Sequence, residues 1–255
     1  MSKFENDYKS ILSDCLKNGF ERNDRTGVGS YSLFNQSIKL DISKKFPIIT
    51  GRKIFKKIFD TEFEWFINGE TNIERFKIAG VKIWDEWADS NGDLGPVYGH
   101  QMLNFNSQSV NQLELVIDSL KCNPDSRRHI ISLWNPIQLN EMALPPCYLY
   151  FQFFVDNGNL NMFVLQRSGD LFLGIPYDIA LFSKVLLYIS NETNLKANKL
   201  EMQIIDAHIY KNQIESLREY LLQPVFDLPY YKYNNRILEL INYKSGPTIT
   251  AKVAV

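Results

Sequence analysis

Cys147 stands in the run MALPPCYLYFQFF, where two prolines force an extended approach to a strand and set the thiol at the strand's start. A nucleophile there would be rigidly aimed, although a lone cysteine also serves as a small core hydrophobe. Short polar loops bounded by Gly, Asp or Ser supply arginines: Arg25 in NDRTGVG, Arg127 and Arg128 in NPDSRRH, and Arg167 in LQRSGD. A planar guanidinium pairs phosphate oxygens two at a time, and a cation beside a thiol lowers its pKa toward the thiolate. Taken singly, each arginine also fits a solvated surface charge. Glu62 and Glu64 interrupt the apolar stretch FDTEFEWFINGE beside Trp65 and Phe66. A carboxylate buried there is costly without partners or work, which makes either a candidate general base. The segment IWDEWADSNGDLGPVYGH gathers Trp84, Trp87 and Tyr98 among acidic and glycine residues, either to line a flat aromatic ligand or to anchor a long loop. In LGIPYDIALF, Asp178 sits among apolar neighbours and either caps a helix starting near Ile179 or reads a ligand.

These groups need a scaffold. A helix is expected from Asp7 to Lys17, with Tyr8, Ile11, Leu12 and Cys15 at helical spacing and the glycine of KNGF beyond its end. Further helices are expected over Phe55 to Asn68, Asn111 to Asn123 and Ile179 to Ile189. SYSLFNQSIKLDI, RHIISLWN, YLYFQFFVDNGNLNMFVLQRS and LEMQIIDAHIY carry the β-branched and aromatic content of strands. Asn157-Gly158 supplies a hairpin turn, so two of these strands pair antiparallel. Helices and strands mix without a regular βαβ alternation, which argues an α+β fold. With no repeat, low-complexity segment or Ser/Gly linker, residues 1–255 read as one catalytic domain.

A chain of 255 residues, 45% hydrophobic, is long enough to bury a continuous core, which excludes intrinsic disorder. Lys+Arg 28 against Asp+Glu 29 leave a net charge of −1, so no global basic field argues for a nucleic-acid partner and any anionic ligand must be met locally. Cys15, Cys122 and Cys147 are odd in number and far apart, which fits a reducing compartment. His100, His129 and His208 never fall at zinc-ligand spacing from them, so no metal is expected. The opening MSKFENDYKS is charged, and no run approaches the ~20 apolar residues of a membrane span. A cytoplasmic location follows as the expectation, the host cytoplasm if the source is viral.

From Asn23 to the closing ITAKVAV, the motifs NDRTGVG, IWDEWADSNGDLGPVYG, NPDSRRHIISLWN, ALPPC, FQFFV, QRSGDLFLGIPY and DAHIY stand in an order that resembles the thymidylate synthase family. The resemblance implies an α+β fold, a mixed β-sheet with packed helices, and a homodimer joined sheet to sheet. It also implies transfer of a one-carbon unit from 5,10-methylenetetrahydrofolate to carbon 5 of a pyrimidine nucleotide. Under it Cys147 resembles the thiolate that adds to carbon 6 of the base. Glu62 resembles the glutamate that organises water and moves protons, with Tyr98 also catalytic. Arg25, Arg167 and Ser168 resemble a phosphate clamp, which Arg127 and Arg128 complete from the other subunit. Gln166, Asp170 and Asp178 fall among the nucleotide-binding positions, and His208 with Tyr210 resemble the pair that bonds the sugar hydroxyl. Trp84, Trp87, Leu144, Asp170, Leu173, Gly174 and Tyr177 fall where the family holds folate, under a closing tail that ends at Ala254-Val255.

The resemblance breaks where it matters for the base. Asp178 occupies a position where the family carries asparagine, whose amide accepts from uracil N3–H and donates to O4. Cytosine presents an acceptor at N3 and an amine at carbon 4, so a carboxyl group can accept from the amine and share a proton with N3. Aspartate here is the mark of the family's deoxycytidylate (dCMP) hydroxymethylase branch, which adds water to the exocyclic methylene, and that is the leading reading. Tyr148 replaces a histidine after the nucleophile, Gly169 replaces a larger residue in QRSxD, and Phe55, Lys56 and Lys57 alter a region near the folate tail. Trp84 and the AKVAV tail resemble a water-excluding lid, which favours 5-methyl-dCMP and dihydrofolate as the alternative products. A dUMP-using synthase comes third, and a catalytically silent nucleotide-binding relative is the reading from another class.

Overall fold

The computed structural model describes residues 2–24 and 26–254. The chain opens with α1 (Lys3–Asn18), which starts four residues before the expected Asp7 because the Ser2 hydroxyl accepts from the Glu5 N–H as an N-cap. Tyr8, Leu12 and Cys15 turn its apolar stripe into the core. Strands β1 (Phe20–Arg22) and β2 (Ser30–Asp41) follow, then α2 (Lys56–Ile67), the short α3 (Glu74–Ala79) and α4 (Gly99–Leu103), and α5 (Gln112–Cys122). The expected limits of α2 and α5 hold to within a residue at each end. Asn111 caps α5 by accepting from the Glu114 N–H at 3.1 Å.

Strand β3 (Ile130–Ser132) is shorter than RHIISLWN suggested. After it, β4 (Tyr148–Asp156) and β5 (Asn159–Asp170) form the expected hairpin, with Asn157 at φ 49° and Gly158 at φ 76° in the turn. Helix α6 (Ile175–Thr193) then crosses to β6 (Lys196–Tyr210), which lies parallel to β5. This helix is longer than the expected Ile179 to Ile189: Pro176 fits its first turn, and Asn194 ends it at φ 56°. The chain closes with α7 (Ile214–Leu221) and a separate hairpin of β7 (Tyr230–Asn234) and β8 (Ile237–Ile241), which no periodicity announced.

The main sheet has the order β1-β2-β6-β5-β4-β3, antiparallel throughout except for β5 with β6. It is the mixed sheet of an α+β fold. Phe151, Phe153, Met162, Val164, Met202 and Ile204 fill one face, and α6 is buried against it along most of its length. The other face carries Phe34 and Phe154, exposed by 79% and 67%.

Gly169 fixes the seat of α6. A Cβ there would stand 2.7 Å from Ile175 Cδ1 and 3.0 Å from Ile204 Cγ2, both in the packed core, so the bare backbone is what allows Ile175 to start the helix where it does. Gly169→Ala should therefore cost about 1–3 kcal/mol through overpacking. Urea unfolding of Gly169→Ala, Ile175→Val and the double variant checks this: the double variant should lose less than the sum of the two single losses. Strict additivity would contradict the contact.

Candidate active site

The prolines do what the sequence promised. Cys147 lies partly exposed just before β4, and the Arg167 side chain holds its approach by donating from Nε to the Pro146 carbonyl and from Nη2 to the Pro145 carbonyl, both at 2.8 Å. The Arg167 backbone N–H donates to the Cys147 carbonyl, also at 2.8 Å. Two of the five guanidinium N–H donors thus brace the loop before Cys147, and three remain for an anion. The Cys147 N–H donates to Tyr98 Oη at 3.1 Å. Tyr98 itself sits at φ 32°, a conformation that a non-glycine residue keeps only when its surroundings enforce it. Its buried ring packs against Tyr148, Trp84 and Trp65 at centroid separations of 4.4, 5.8 and 6.5 Å.

Helix α2 places Glu62 and Glu64 differently. Glu62 is buried, 8% exposed, whereas Glu64 approaches Arg236 at 3.9 Å on the accessible side, which leaves Glu62 as the candidate base. Burial, and then the Asp178 charge, push the Glu62 carboxyl up to about 8. The Trp84 indole favours the ion, but its N–H closes no hydrogen bond of proper geometry. Asp178 does not cap a helix, because α6 starts at Ile175 and carries it in the first turn. Its Oδ2 accepts from Gln166 Nε2 at 2.7 Å. Burial pushes its pKa up to about 7, the Gln166 amide pulls the other way, and the Asp170 charge adds to the rise. Two carboxyls of one pocket thus hold protons near neutrality, with macroscopic pKa values that belong to the pair.

The parallel pairing of β5 with β6 brings Ser168 opposite Asp206 and Asp170 opposite His208. His208 Nδ1 stands 3.6 Å from Asp206 Oδ1, and its ring meets Tyr210 edge to face at 4.9 Å. Burial lowers the His208 pKa, but the Asp206 and Asp170 charges outweigh it and hold the imidazole above its ordinary value. Asp170 is the most engaged of the expected ligands. Its Oδ1 accepts from the Phe172 and Leu173 N–H groups at 2.9 Å, and its Oδ2 from Gln213 Nε2 at 2.7 Å, so it shapes the turn before α6.

Trp84 and Trp87 meet edge to face at 5.8 Å, and Trp87, Leu144, Leu173, Gly174 and Tyr177 are each partly exposed. The tail is seated through the Thr250 carbonyl on the Ser216 hydroxyl at 2.7 Å and the Lys252 carbonyl on Asn212 Nδ2 at 3.3 Å, with Ala254 buried. Arg25 and Val255 lie outside the described residues. Arg127 and Arg128 are exposed on the loop before β3, where Arg127 lines a depression over the open sheet face with Gln152, Phe154, Phe163 and Glu201. That depression holds none of the groups around Cys147.

Sequence reasoning missed Arg52, which is buried and donates from Nη2 to the Phe172 carbonyl at 2.5 Å and from Nη1 to the Ile249 carbonyl at 3.4 Å. It joins the tail to the turn that carries Asp170, and nothing in GRKIFKK distinguishes it from the lysines beside it. Among the described residues no group of three His, Cys, Asp or Glu side chains could hold a metal ion, and no helix is long and apolar enough to cross a membrane.

A thiol braced by Tyr98, whose hydroxyl also feels the charges of Asp178 and Glu62, suits covalent addition to an electron-poor ring. Residues 6–255 match the family model of thymidylate synthase, and the chain belongs to that family. The family performs folate-dependent one-carbon transfer to carbon 5 of a pyrimidine nucleotide, draws on methylenetetrahydrofolate and acts as dimers.

Glu62, Asp178 and His208 all bind protons more tightly in the folded chain than in the unfolded one, where the ordinary values are 4.5, 3.8 and 6.5. Their contribution to stability is therefore complete at low pH and is lost as pH rises through the folded values, up to about 8 for Glu62. The ligand-free protein should lose stability to urea between pH 5 and pH 8 as a result, on the order of 1 kcal/mol or more. Glu62→Gln should flatten that slope; an unchanged slope in the variant would contradict the assignment.

Proposed function

We propose that this protein transfers a one-carbon unit to carbon 5 of dCMP and adds water to it, forming 5-hydroxymethyl-dCMP. The observation that carries this reading is Asp178, a carboxyl held by Gln166 and pushed up to about 7, where the family's asparagine would stand. A proton on that carboxyl can be offered to cytosine N3 while its other lone pairs accept from the amine at carbon 4. Uracil would set its O4 acceptor against the ionised form, and a repelled or unmet polar group in a desolvated pocket costs about 1–3 kcal/mol.

The thiolate of Cys147 adds to carbon 6, and the bond electrons move onto the ring toward carbon 5 and N3. The Asp178 proton at N3 offsets that charge, the kind of fixed electrostatic help that accelerates addition most. Tyr98 holds the Cys147 backbone so that Sγ meets one face of the ring. Glu62 then exchanges protons at the carbon 4 and carbon 5 edge, for which a carboxyl near pH 8 is suited in either direction. Arg167 and Ser168 take the phosphate, Arg25 joins them by its motif alone, and His208 with Tyr210 take the sugar hydroxyl. Methylenetetrahydrofolate supplies the carbon. Trp84, Trp87, Leu144, Leu173, Gly174 and Tyr177 would hold it, with Asp170 and Ala254 at its margins, an aromatic and apolar wall of suitable kind.

We also propose the homodimer. Exposed Phe34 and Phe154 give the open sheet face a reason to pair with its copy, and Arg127 and Arg128 would then reach the partner subunit's phosphate. A second reading keeps the same base: a seated tail and a buried Trp84 favour exclusion of water, which would leave 5-methyl-dCMP and dihydrofolate as products.

Incubation of the protein with methylenetetrahydrofolate and either dCMP or dUMP, read by nucleotide mass and by dihydrofolate absorbance, separates these. The expected result is hydroxymethyl-dCMP without dihydrofolate, and no product from Cys147→Ser. Methyl-dCMP with dihydrofolate would establish the second reading, and turnover of dUMP alone would overturn both.

A further inference from the structure

Tyr148 follows the nucleophile and is 4% exposed, yet its Oη is buried without a hydrogen-bond partner. Four aromatic neighbours surround the ring, Tyr98 at 4.4 Å, Phe182 at 4.9 Å, Phe151 at 6.0 Å and Phe66 at 6.2 Å between centroids, with Trp84 behind Tyr98. Across the strands Tyr148 faces Gln166, whose Oε1 is also buried without a partner while its Nε2 is committed to Asp178. The ring lies 4.4 Å from that of Tyr98, whose hydroxyl accepts from the Cys147 N–H, and opposite the Gln166 that donates to Asp178, so the phenol sits between the thiol and the carboxyl. A buried hydroxyl left unmet costs about 1–3 kcal/mol, which a fold tolerates where a ligand will meet it.

The chemistry of that wall selects the ligand group. Glu62, Asp178 and Gln166 Oε1 all present acceptor oxygens around the phenol, and none of them meets its proton until a ligand fills the site and turns the hydroxyl toward one of them. Once that proton is donated, Oη can only accept. An exocyclic amine carries two N–H donors, and Asp178 takes one of them. The second points toward carbon 5, on the Cys147 side of the ring, and needs an acceptor there. We propose that Tyr148 is a specificity-determining residue whose hydroxyl oxygen accepts the second N–H of the pyrimidine 4-amine. A carbonyl in the same place would meet an acceptor-rich wall and gain nothing from it.

This inference rests on the dCMP reading and deepens it. Tyr148→Phe keeps the ring and its stacking and removes only the hydroxyl. Calorimetric titration of the intact protein with dCMP and with dUMP should show the dCMP dissociation constant rising about tenfold in the variant, with the dUMP constant changing less than about twofold. Tritium release from carbon 5 should show the dCMP loss in KM more than in kcat. A structural role would instead weaken both nucleotides alike. Equal losses, or an unchanged dCMP constant in a variant of wild-type thermal midpoint, would overturn the inference and leave the dCMP reading standing. A wild-type protein that binds dUMP more tightly than dCMP would overturn both.

Discussion

A half-buried carboxyl group whose surroundings favour its protonated form is the constraint around which the site is built. Asp178 rides on the first turn of a nineteen-residue helix that is buried along most of its length, so its backbone is held in place. The helix dipole at that turn favours the ion by ~0.3–1 kcal/mol. Desolvation overrules it, because the pKa still rises from 3.8 to about 7. The Gln166 amide fixes the orientation of the group and takes one lone pair, so what remains for a ligand is a defined edge with a proton near neutrality. Glu62 reinforces this, since two carboxyls that feel one another cannot both ionise at little cost.

Everything else keeps that edge at a fixed distance from a sulfur atom. β5 carries Gln166 toward α6 and Arg167 toward the prolines, so one strand braces both the Asp178 carboxyl and the Cys147 loop. The strained Tyr98 backbone is tolerated because its ring is wedged among aromatic neighbours and its hydroxyl anchors Cys147. The bare backbone at Gly169 then lets Ile175 start the helix close to β5 and β6. A rigid first turn and a rigid strand start are what covalent catalysis asks of a scaffold, since misplacement of reacting atoms by about 1 Å costs rate steeply.

Much of this is legible in the sequence. The hairpin at Asn157-Gly158, the α2 and α5 limits and the presentation of Cys147 followed from local rules, because turn dihedrals, capping side chains and proline sterics act within a few residues. The start of α6 was not, because Pro176 in LGIPYD reads as readily as a breaker as it does as a first-turn residue. Nor was the division of labour between Glu62 and Glu64, which depends on the side of α2 that meets α6. Arg52 and the Tyr148 hydroxyl gave no signal for a related reason. Their roles come from long-range contacts, one with the tail and the turn after β5, the other with four aromatic rings, and no periodicity reports such contacts.

The proposed dependence of base choice on one carboxyl can be measured directly. Tritium release from carbon 5 of dCMP and of dUMP, followed for the wild-type protein and for Asp178→Asn under identical conditions, reports the ratio of the two specificity constants without reference to the final product. The account predicts a wild-type ratio in favour of dCMP that falls by about tenfold or more, or inverts, in the variant, the equivalent of one hydrogen-bond mismatch. A variant that retains the wild-type preference for dCMP would contradict it.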